Sequence, residues 1–395
     1  MAWSEHSIMD SRLIFISACL GKDEPMSELC LRHGISRQTG YKWLGRYQQA
    51  GAAGLEDLSS ARHTLAQAID PVTARSILAF RERHPTWGPR KLLERLTQDD
   101  PETAWPAAST VGDLLRRQGV SKPRKRQPGE ARTTASLTDP SAPNECWAAD
   151  FKGWFRTGDR VRCEPFTVSD GFSRYLLACQ AVAQVTVGQV QPILTRLFQT
   201  HGLPRALRTD NGSPFARRDG LGGLTQLSVW LLKLNIWLER IEPGCPQQNG
   251  RHERMHRVLN EDTASPPAAT LPLQQQRMDA WRVEYNTDRP HEALGMRCPA
   301  ALYAPSARLY PAMIKDWDYP ADHHVRRVIG DGYIRWRDAT VYLTGALRGE
   351  TVGVAQRADG DWAVRFRGFD LAVLADNGDA MRRCGLSRTP LHSVT

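Results

Sequence analysis

The sequence predicts a multidomain protein in which an all-α N-terminal part and a small all-β C-terminal part flank a central α/β domain. Three observations predict this order. Helical patterns fill residues 1–120, strand-like and helical runs fill residues 144–305, and short strand-like runs separated by turns fill residues 318–378. A chain of 395 residues has room for about two to four domains of ordinary size.

The composition favours a nucleic-acid partner. The chain has 52 Lys and Arg residues against 43 Asp and Glu residues, which gives a formal net charge of +9. Such a basic balance favours polyanions. The eight cysteines have neither zinc-site nor disulfide spacing, so we expect reduced thiols in a cytoplasmic protein. No run approaches about 20 apolar residues, and no basic segment precedes the N-terminal apolar run, so we expect neither a membrane span nor a signal peptide.

Residues 1–60 are predicted to form a helix-turn-helix domain. The stretch MSELCLRHGISRQTGYKWLGRY (26–47) indicates a short helix, a turn at His33-Gly34, and a second helix with Ser36 as its N-cap. The outward side chains of the second helix would face the major groove of DNA: Arg37, Gln38, Thr39, Tyr41 and Lys42. An ordinary helical hairpin is the alternative.

Residues 61–120 are predicted to form a second helical DNA-binding unit. HPTWGPRKLLERL (84–96) indicates a turn and an amphipathic helix, and WPAASTVGDLLRRQGV (105–120) indicates another helix that stops at Gly119. Polar and basic side chains of this unit are candidates for phosphate contact: Arg90, Lys91, Ser109, Thr110, Arg116 and Arg117. A helix face that is merely solvated is the alternative.

Residues 121–143 are predicted to be a basic linker, because Pro, Ser, Thr and charged residues leave almost nothing to bury. Its KPRKR run suits nonspecific phosphate contact through four side chains: Lys122, Arg124, Lys125 and Arg126. Farther along, the GDG, RDA and ADGD turns of residues 318–378 separate short strands, which indicates a small antiparallel barrel or sandwich.

The central domain, residues 144–305, carries the candidate catalytic carboxylates. ECWAADFKGWF (145–155) places Asp150 at the end of an apolar strand, and PRALRTDNG places Asp210 at the tip of another. Glu253 follows a Pro- and Gly-rich stretch near the start of a helix. Mg²⁺ prefers oxygen ligands, and two ions about 4 Å apart can stabilise both the attacking and the leaving oxygen of a phosphoryl transfer. Convergence of the three acids would therefore create a metal centre.

Four stretches of this domain resemble the core of the DDE transposases and integrases of the retroviral-integrase superfamily. The stretches are WAADF (147–151), SDGFSRY (169–175), TDNGSPF (209–215) and PGCPQQNGRHERMHRVL (243–259). The similarity is greatest to bacterial insertion-sequence transposases with an N-terminal helix-turn-helix. It extends to YNTDRPHEALG after the core and to the C-terminal β domain, and so covers nearly the whole chain.

The resemblance implies a ribonuclease-H-like core and an SH3-like C-terminal domain. It also implies that Asp150, Asp210 and Glu253 are the catalytic residues and the ligands of Mg²⁺ or Mn²⁺, with two ions in each active site. The implied chemistry is hydrolytic nicking at element ends, followed by attack of the freed 3′-hydroxyl on target DNA. Asn211 and Arg251, which lie beside these acids, are expected to contact DNA.

One departure from the superfamily pattern is the distance along the chain between the second and third acids. Asp210 and Glu253 are separated by 42 residues, and ARRDGLGGLTQ (216–226) occupies the extra length as a predicted surface loop. Glu261, about two helical turns beyond Glu253, is the alternative third ligand.

Residues near the acids have plainer interpretations. Asp170 is expected to be a turn acid, and His252 and His256 are expected to contact substrate or to pack rather than to bind zinc. Four tryptophans are expected in the core: Trp147, Trp154, Trp230 and Trp237.

Together these features predict a DNA transposase that binds double-stranded DNA at element ends and target sites. The resemblance implies a homo-oligomer on DNA, because two element ends must be handled together, and no membrane partner is expected. The expected location is the bacterial cytoplasm, in association with the nucleoid. The alternatives are a transposase-derived DNA-binding regulator and a nuclease of the same fold; a structural nucleoid protein would explain the charge but not the acids.

Overall fold

The structure is a computed structural model that describes residues 8–57, 69–121, 137–217, 221–242, 248 and 250–375, and the backbone of residues 381–388. The basic side chains predicted in the linker, Lys122, Arg124, Lys125 and Arg126, lie outside the described residues. The chain divides into two compact units, Met1–Ala68 and Ile69–Thr395. Within the described residues, no helix is both long and apolar enough to cross a membrane.

Residues 8–57 of the first unit contain three α-helices. They are α1 (Ile8–Gly21), α2 (Met26–Arg32) and α3 (Arg37–Ala50), followed by a 3-10 turn (Gly51–Leu55). The predicted cap of the second motif helix is confirmed, since the Ser36 hydroxyl accepts a hydrogen bond from the Thr39 N–H at 3.1 Å. A Cβ at Gly40 would lie 2.6 Å from the Cys30 sulfur, so glycine permits the close packing of α2 on α3.

The second unit opens with another three-helix bundle. It comprises α4 (Pro71–Arg83), α5 (Pro89–Asp99) and α6 (Ala108–Arg117). The Asp70 carboxylate caps α4 by accepting hydrogen bonds from the N–H groups of Val72 and Thr73, both at 3.0 Å. The core of the bundle consists of buried side chains from all three helices and the turn between α4 and α5: Ile77, Phe80, Trp87, Leu92, Leu96, Val111, Leu114 and Leu115.

The central sheet has six strands. They are β1 (Cys146–Phe151), β2 (Phe155–Arg156), β3 (Arg162–Asp170), β4 (Leu176–Val182), β5 (Ala206–Thr209) and β6 (Trp237–Arg240). The strand order is β2-β3-β1-β5-β6, and β4 also pairs with β3. β3 runs antiparallel to both β1 and β4, whereas β1, β5 and β6 are parallel to one another. This mixed sheet, covered by helices, agrees with the ribonuclease-H-like fold that the sequence predicts.

Four helices accompany the sheet. They are α7 (Val187–His201), α8 (Gln226–Lys233), α9 (Gly250–Thr263) and α10 (Leu271–Thr287). The side chains of β3 and β4 alternate between two apolar clusters. One cluster includes residues of α7 and α8, and the other includes residues of α9 and α10, so the sheet is covered on both faces.

The C-terminal residues form a small all-β region. Its strands are β7 (His324–Arg327), β8 (Tyr333–Trp336), β9 (Ala339–Tyr342), β10 (Thr351–Gln356), β11 (Trp362–Phe366), β12 (Phe369–Leu374) and β13 (Met381–Arg388). Five of them form an antiparallel sheet in the order β13-β12-β11-β10-β7, and β8 and β9 form a hairpin. The prediction of an all-β region is confirmed. Its core is continuous with the central core, where the rings of Trp237 and Phe369 stack at 5.5 Å.

The core prediction is wrong for one of the four tryptophans. Trp147 is fully buried, and Trp230 and Trp237 are partly buried against the central cluster. Trp154, however, is 55 % exposed, because it lies in the turn between β1 and β2 just after Gly153, which has a φ of +90°. Its ring contacts the guanidinium group of Arg162 at 5.3 Å.

Buried polar contacts attach the helical bundle α4–α6 to α9 and α10. The Arg289 side chain, which is 6 % exposed, lies 3.7 Å from the Asp262 carboxylate. The indole N–H of Trp281 donates to the same carboxylate at 2.9 Å, and the hydroxyl of Thr86 lies 3.2 Å from the Arg289 guanidinium. Because burial is costly for an unpaired charge, these contacts stabilise the packing of the bundle only as a complete set.

Asn286, in the YNTDRPHEALG stretch, attaches the end of α10 to the start of β4. Its side chain is buried, accepts a hydrogen bond from the N–H of Leu176 at 2.8 Å and donates one to the carbonyl of Leu176 at 3.0 Å. One amide side chain therefore satisfies both backbone groups of a buried strand residue.

We expect Asn286→Ala to lower the free energy of unfolding by about 2–4 kcal/mol, because it leaves a buried donor and a buried acceptor without partners. The measurement is urea denaturation of the full chain. The control is Asn260→Ala, which removes an exposed asparagine from α9 and should change stability by no more than about 0.5 kcal/mol. Equal midpoints for the two variants would contradict a stabilising role for Asn286.

Candidate active site

Asp150 lies in β1, and Asp210 directly follows the neighbouring strand β5. β1 and β5 pair in parallel, with Ala148 opposite Arg208. Asp150 is two residues beyond Ala148, and Asp210, which directly follows β5, is two residues beyond Arg208, so the two acids lie at the same end of the paired strands. Trp147 belongs to the cluster that includes α7 and α8, so strand alternation turns Asp150 towards the face covered by α9.

The turn after β5 holds Asp210 through local contacts. The N–H of Gly212 donates a hydrogen bond to Asp210 Oδ1 at 3.0 Å. The side-chain amide of Asn211 donates to the carbonyl of Ile241 at 2.6 Å, which ties this turn to the end of β6. A Cβ at position 212 would lie 2.9 Å from Asp210 Oδ2, so the glycine leaves the space in which the carboxylate sits.

Glu253 lies in the first turn of α9, as predicted, and is exposed. The side of the helix that faces the sheet carries His252, Met255 and Leu259, all buried. Glu261, the alternative third ligand, is also exposed and lies about 12 Å farther along the helix axis. Both glutamates are thus on the solvent-accessible surface of α9.

The described residues contain one close group of potential metal ligands, and it is not the group of three acids. It consists of Asp150, His252 and His256, whose ligand atoms all lie within 4.8 Å of one another. Asp210 and Glu253 are not members of this group. The structure therefore brings Asp150 close to two imidazoles.

The two histidines attach α9 to β3. The hydroxyl oxygen of Thr167 lies 2.6 Å from His252 Nε2 and 2.7 Å from His256 Nε2, and it also donates to the carbonyl of Asp150 at 3.1 Å. His252 Nδ1 lies 3.2 Å from the Ser169 hydroxyl. The predicted packing role of both histidines is confirmed by these contacts.

Burial favours the neutral form of both imidazoles. Burial, reinforced by the neighbouring His256, lowers the pKa of His252 well below its usual range. Burial and the positive charge of Lys152 lower the pKa of His256 to about 4. The group therefore presents one carboxylate and two uncharged nitrogen donors.

Asp170 is a structural acid, as predicted. It is 1 % exposed, accepts hydrogen bonds from the N–H of Asn144 at 2.9 Å and of Ser173 at 3.0 Å, and closes the turn between β3 and β4. Burial raises its pKa despite these hydrogen bonds.

The side chains predicted to contact DNA are mostly accessible. Arg37, Gln38, Tyr41 and Lys42 are exposed on α3, and Thr39 is half-buried there. In the bundle α4–α6, exposed side chains are Arg90, Ser109, Arg116 and Arg117, and half-buried ones are Lys91 and Thr110. Three of these arginines form ion pairs within the second unit: Arg90 lies 3.7 Å from Glu292, Arg116 lies 2.8 Å from Asp113, and Arg251 lies 3.0 Å from Asp139.

Sequence reasoning missed Thr167 and Ser169, whose hydroxyls contact the histidines. Both lie in β3, and their contact with α9 spans more than 80 residues of chain. The four-residue spacing of His252 and His256 was the available signal, since residues i and i+4 share one side of a helix.

The carboxylates of Asp150 and Asp210 are the kind of donor that a divalent metal centre uses. Asp150 and Asp210 supply hard oxygen donors from adjacent strand ends, and Gly212 leaves open the space beside the Asp210 carboxylate. Glu253, being exposed, can reorient its side chain without disturbing the core.

Family models match most of the chain. An integrase core domain matches residues 140–246, and a second integrase core domain matches residues 234–299. A helix-turn-helix domain matches residues 11–63, and a homeodomain-like domain matches residues 39–115.

Two curated relatives come from bacterial insertion elements. The insertion element IS407 uncharacterized 31.7 kDa protein of Burkholderia multivorans is 29 % identical over 232 residues, which are 58 % of this chain and 74 % of the relative. The insertion element IS476 uncharacterized 39.2 kDa protein of Xanthomonas euvesicatoria is 27 % identical over 288 residues, which are 71 % of this chain and 78 % of the relative.

Among solved structures, the HTLV-2 integrase catalytic core domain in complex with magnesium is 14 % identical, with a TM-score of 0.32, and the match covers 41 % of this chain and 97 % of that one. The simian T-cell lymphotropic virus intasome in complex with PP2A regulatory subunit B56 gamma is also 14 % identical, with a TM-score of 0.37, and the match covers 80 % of this chain and 98 % of that one.

The domain matches and the central fold define a protein with helix-turn-helix modules and an integrase core. Together with the relatives, these matches show a chain that carries helix-turn-helix and integrase core domains and is similar to proteins of bacterial insertion elements.

We expect Gly212→Ala to weaken Mn²⁺ binding by about tenfold or more, because the added Cβ displaces the Asp210 carboxylate. The free energy of unfolding should change by less than about 1 kcal/mol, since a flexible side-chain end can move aside. Calorimetric titration with Mn²⁺ measures the affinity. Gly188→Ala is the control, because its new Cβ has nothing nearer than 4.0 Å. Unchanged Mn²⁺ affinity in Gly212→Ala would contradict a ligand role for Asp210.

Proposed function

We propose that this protein is a DNA transposase that cleaves DNA at the ends of its element and joins the freed 3′-hydroxyl to target DNA. The observation that carries the proposal is the parallel pairing of β1 with β5, with Asp150 and Asp210 at the same end of the paired strands. The integrase core matches and the insertion-element relatives support it. The reaction class is phosphoryl transfer to water and then to a DNA hydroxyl.

The proposed metal ligands are Asp150, Asp210 and Glu253, with Mg²⁺ or Mn²⁺ as the ion and two ions in each site. When bound, such ions polarise the phosphate and stabilise the oxygens that attack and leave. The protein itself positions the metal ligands. The N–H of Gly212 orients the Asp210 carboxylate, and the two histidines of α9 fix the helix that carries Glu253 against β3.

DNA binding is assigned to the helix-turn-helix modules and to basic side chains around the core. The exposed face of α3 carries Arg37 and Lys42, which suit a major groove and its phosphates. Because the net charge is +9, affinity should fall steeply as salt rises. Assembly as a homo-oligomer on two element ends, and action in the cytoplasm at the nucleoid, are parts of this proposal.

The first test compares the protein with Asp210→Asn in cleavage and joining of labelled element-end DNA with Mg²⁺. The amide keeps the size of the side chain and removes its charge, so we expect DNA binding to persist while both reactions slow by at least about a hundredfold. Equal rates would show that Asp210 is only a turn residue. Cleavage without joining by the parent protein would identify a nuclease, and binding without either reaction would identify a DNA-binding regulator.

A second test separates the two candidates for the third acid. Glu253→Gln and Glu261→Gln remove the same charge from exposed positions on one helix, so each is the matched control of the other. We expect Glu253→Gln to abolish cleavage and joining and Glu261→Gln to retain at least about half of the parent rate, since exposed substitutions away from a site have small effects. The opposite pattern would assign the ligand to Glu261.

A further inference from the structure

The group formed by Asp150, His252 and His256 offers two imidazoles and one carboxylate, a different set of donors from the three acids. The two imidazoles are four residues apart on α9 and lie on the side of the helix that faces the sheet, while the carboxylate comes from β1. All three ligand atoms lie within 4.8 Å of one another. His252 is 2 % exposed and His256 is half-buried, so the donors are shielded from bulk water.

We propose that Asp150, His252 and His256 bind a transition-metal ion of the Zn²⁺ or Co²⁺ type. Mg²⁺ is bound through oxygen, whereas imidazole nitrogen combined with one carboxylate oxygen suits Zn²⁺, Co²⁺ and Ni²⁺. Two histidines and one carboxylate are a common ligand set of zinc sites that keep one position open. The sequence argues against zinc because it contains no second imidazole-rich motif, but the fold supplies a carboxylate as the third donor from a strand about 100 residues earlier.

The distances require only side-chain adjustment. Ligands of one tetrahedral zinc ion, each about 2.0–2.1 Å from the metal, lie about 3.3 Å apart. Donor atoms within 4.8 Å therefore need to approach one another by up to about 1.5 Å, which rotation of the Asp150 and His256 side chains can supply.

The Thr167 hydroxyl competes with a metal ion for the Nε2 atoms of both histidines. When its single hydroxyl proton is donated to the Asp150 carbonyl, both histidine Nε2 atoms carry protons and donate to the hydroxyl oxygen. A metal bound through these Nε2 atoms needs their lone pairs. Each imidazole then moves its proton to Nδ1 and stays neutral, and no net proton is released.

Ser169 is placed to support the metal-bound form. Its hydroxyl lies 3.2 Å from His252 Nδ1. When the imidazole proton is on Nδ1, the hydroxyl oxygen can accept a hydrogen bond from this N–H. A partner on the second ring nitrogen fixes the tautomer that presents Nε2 to a metal.

Occupancy would also affect the proposed reaction. Asp150 belongs to both sets of ligands, so a transition metal held by the histidines withdraws this carboxylate from the Mg²⁺ centre. Zn²⁺ should therefore inhibit the Mg²⁺-dependent reaction. This consequence rests on the proposed function, whereas the binding site itself does not.

The test is titration of the full chain, prepared without a polyhistidine tag and without DNA, with Co²⁺ followed by visible absorption. Tetrahedral or five-coordinate Co²⁺ with nitrogen ligands absorbs strongly, and octahedral Co²⁺ with oxygen ligands absorbs weakly. We expect one strongly absorbing Co²⁺ per chain, displaced by Zn²⁺ and not by excess Mg²⁺. His256→Gln should weaken binding by about a hundredfold or more, since it removes a ligand outright.

Two further variants sharpen the test. Thr167→Val keeps the side-chain shape but frees both Nε2 atoms, so Co²⁺ should bind about tenfold more tightly. His201→Gln is the matched control, because His201 is another half-buried helical histidine, at the end of α7, and the spectrum should not change.

A weak spectrum of the oxygen-ligand type overturns the proposal, and so does a strong spectrum that survives both His256→Gln and Asp150→Asn. Weaker Co²⁺ binding in Thr167→Val also overturns it, provided that thermal unfolding shows the variant to be folded. No DNA or turnover enters this measurement. A protein that binds Co²⁺ in this way but does not cleave DNA would refute the proposed function alone, and the reverse result would refute this inference alone.

Discussion

The parallel pairing of β1 with β5 is the constraint on which the rest of the site depends. Trp147 and Leu207 occupy opposite positions on these strands and both lie in the main core. Because side chains alternate along a strand, burying these two residues forces Asp150 onto the other face. A slip of one residue would move the carboxylate into the apolar core, where an unpaired charge is costly. Core packing therefore fixes where the acids lie.

The second support is α9, which is fixed by polar contacts as well as by apolar burial. Met255 and Leu259 pack with Met278 and Trp281 of α10, and Thr167 contacts both histidines at the start of the helix. The same side of the helix that is buried to position Glu253 thereby brings two imidazoles close to Asp150. The same two histidines therefore hold α9 against the sheet and present nitrogen donors beside Asp150.

Much of the architecture follows from local signals in the sequence. The Ser36 cap, the strand that ends near Asp150, and the helix that begins near Glu253 were all predicted, because capping, strand length and Gly-Pro punctuation act over a few residues. The all-β C-terminal region was predicted from its turns.

The contacts between distant segments could not be predicted in this way. Thr167 has no local feature that marks it as a partner of histidines more than 80 residues away, and Trp154 is exposed only because the chain turns after Gly153. The close approach of Asp150 to His252 and His256 likewise depends on how β1, β3 and α9 pack together. Convergence of Asp150, Asp210 and Glu253 on metal ions is proposed from the family resemblance and, for the two aspartates, from the pairing of β1 with β5, and locating the ions is the direct observation that tests it.

That observation is the crystal structure of the protein with element-end DNA and Mn²⁺, with anomalous diffraction used to locate the ions. A site built from three acids predicts anomalous peaks bounded by the carboxylates of Asp150, Asp210 and Glu253 and next to a phosphate of the DNA. Peaks that lie elsewhere, or a bound DNA with no ion between these carboxylates, would contradict the assignment of this centre as the catalytic site.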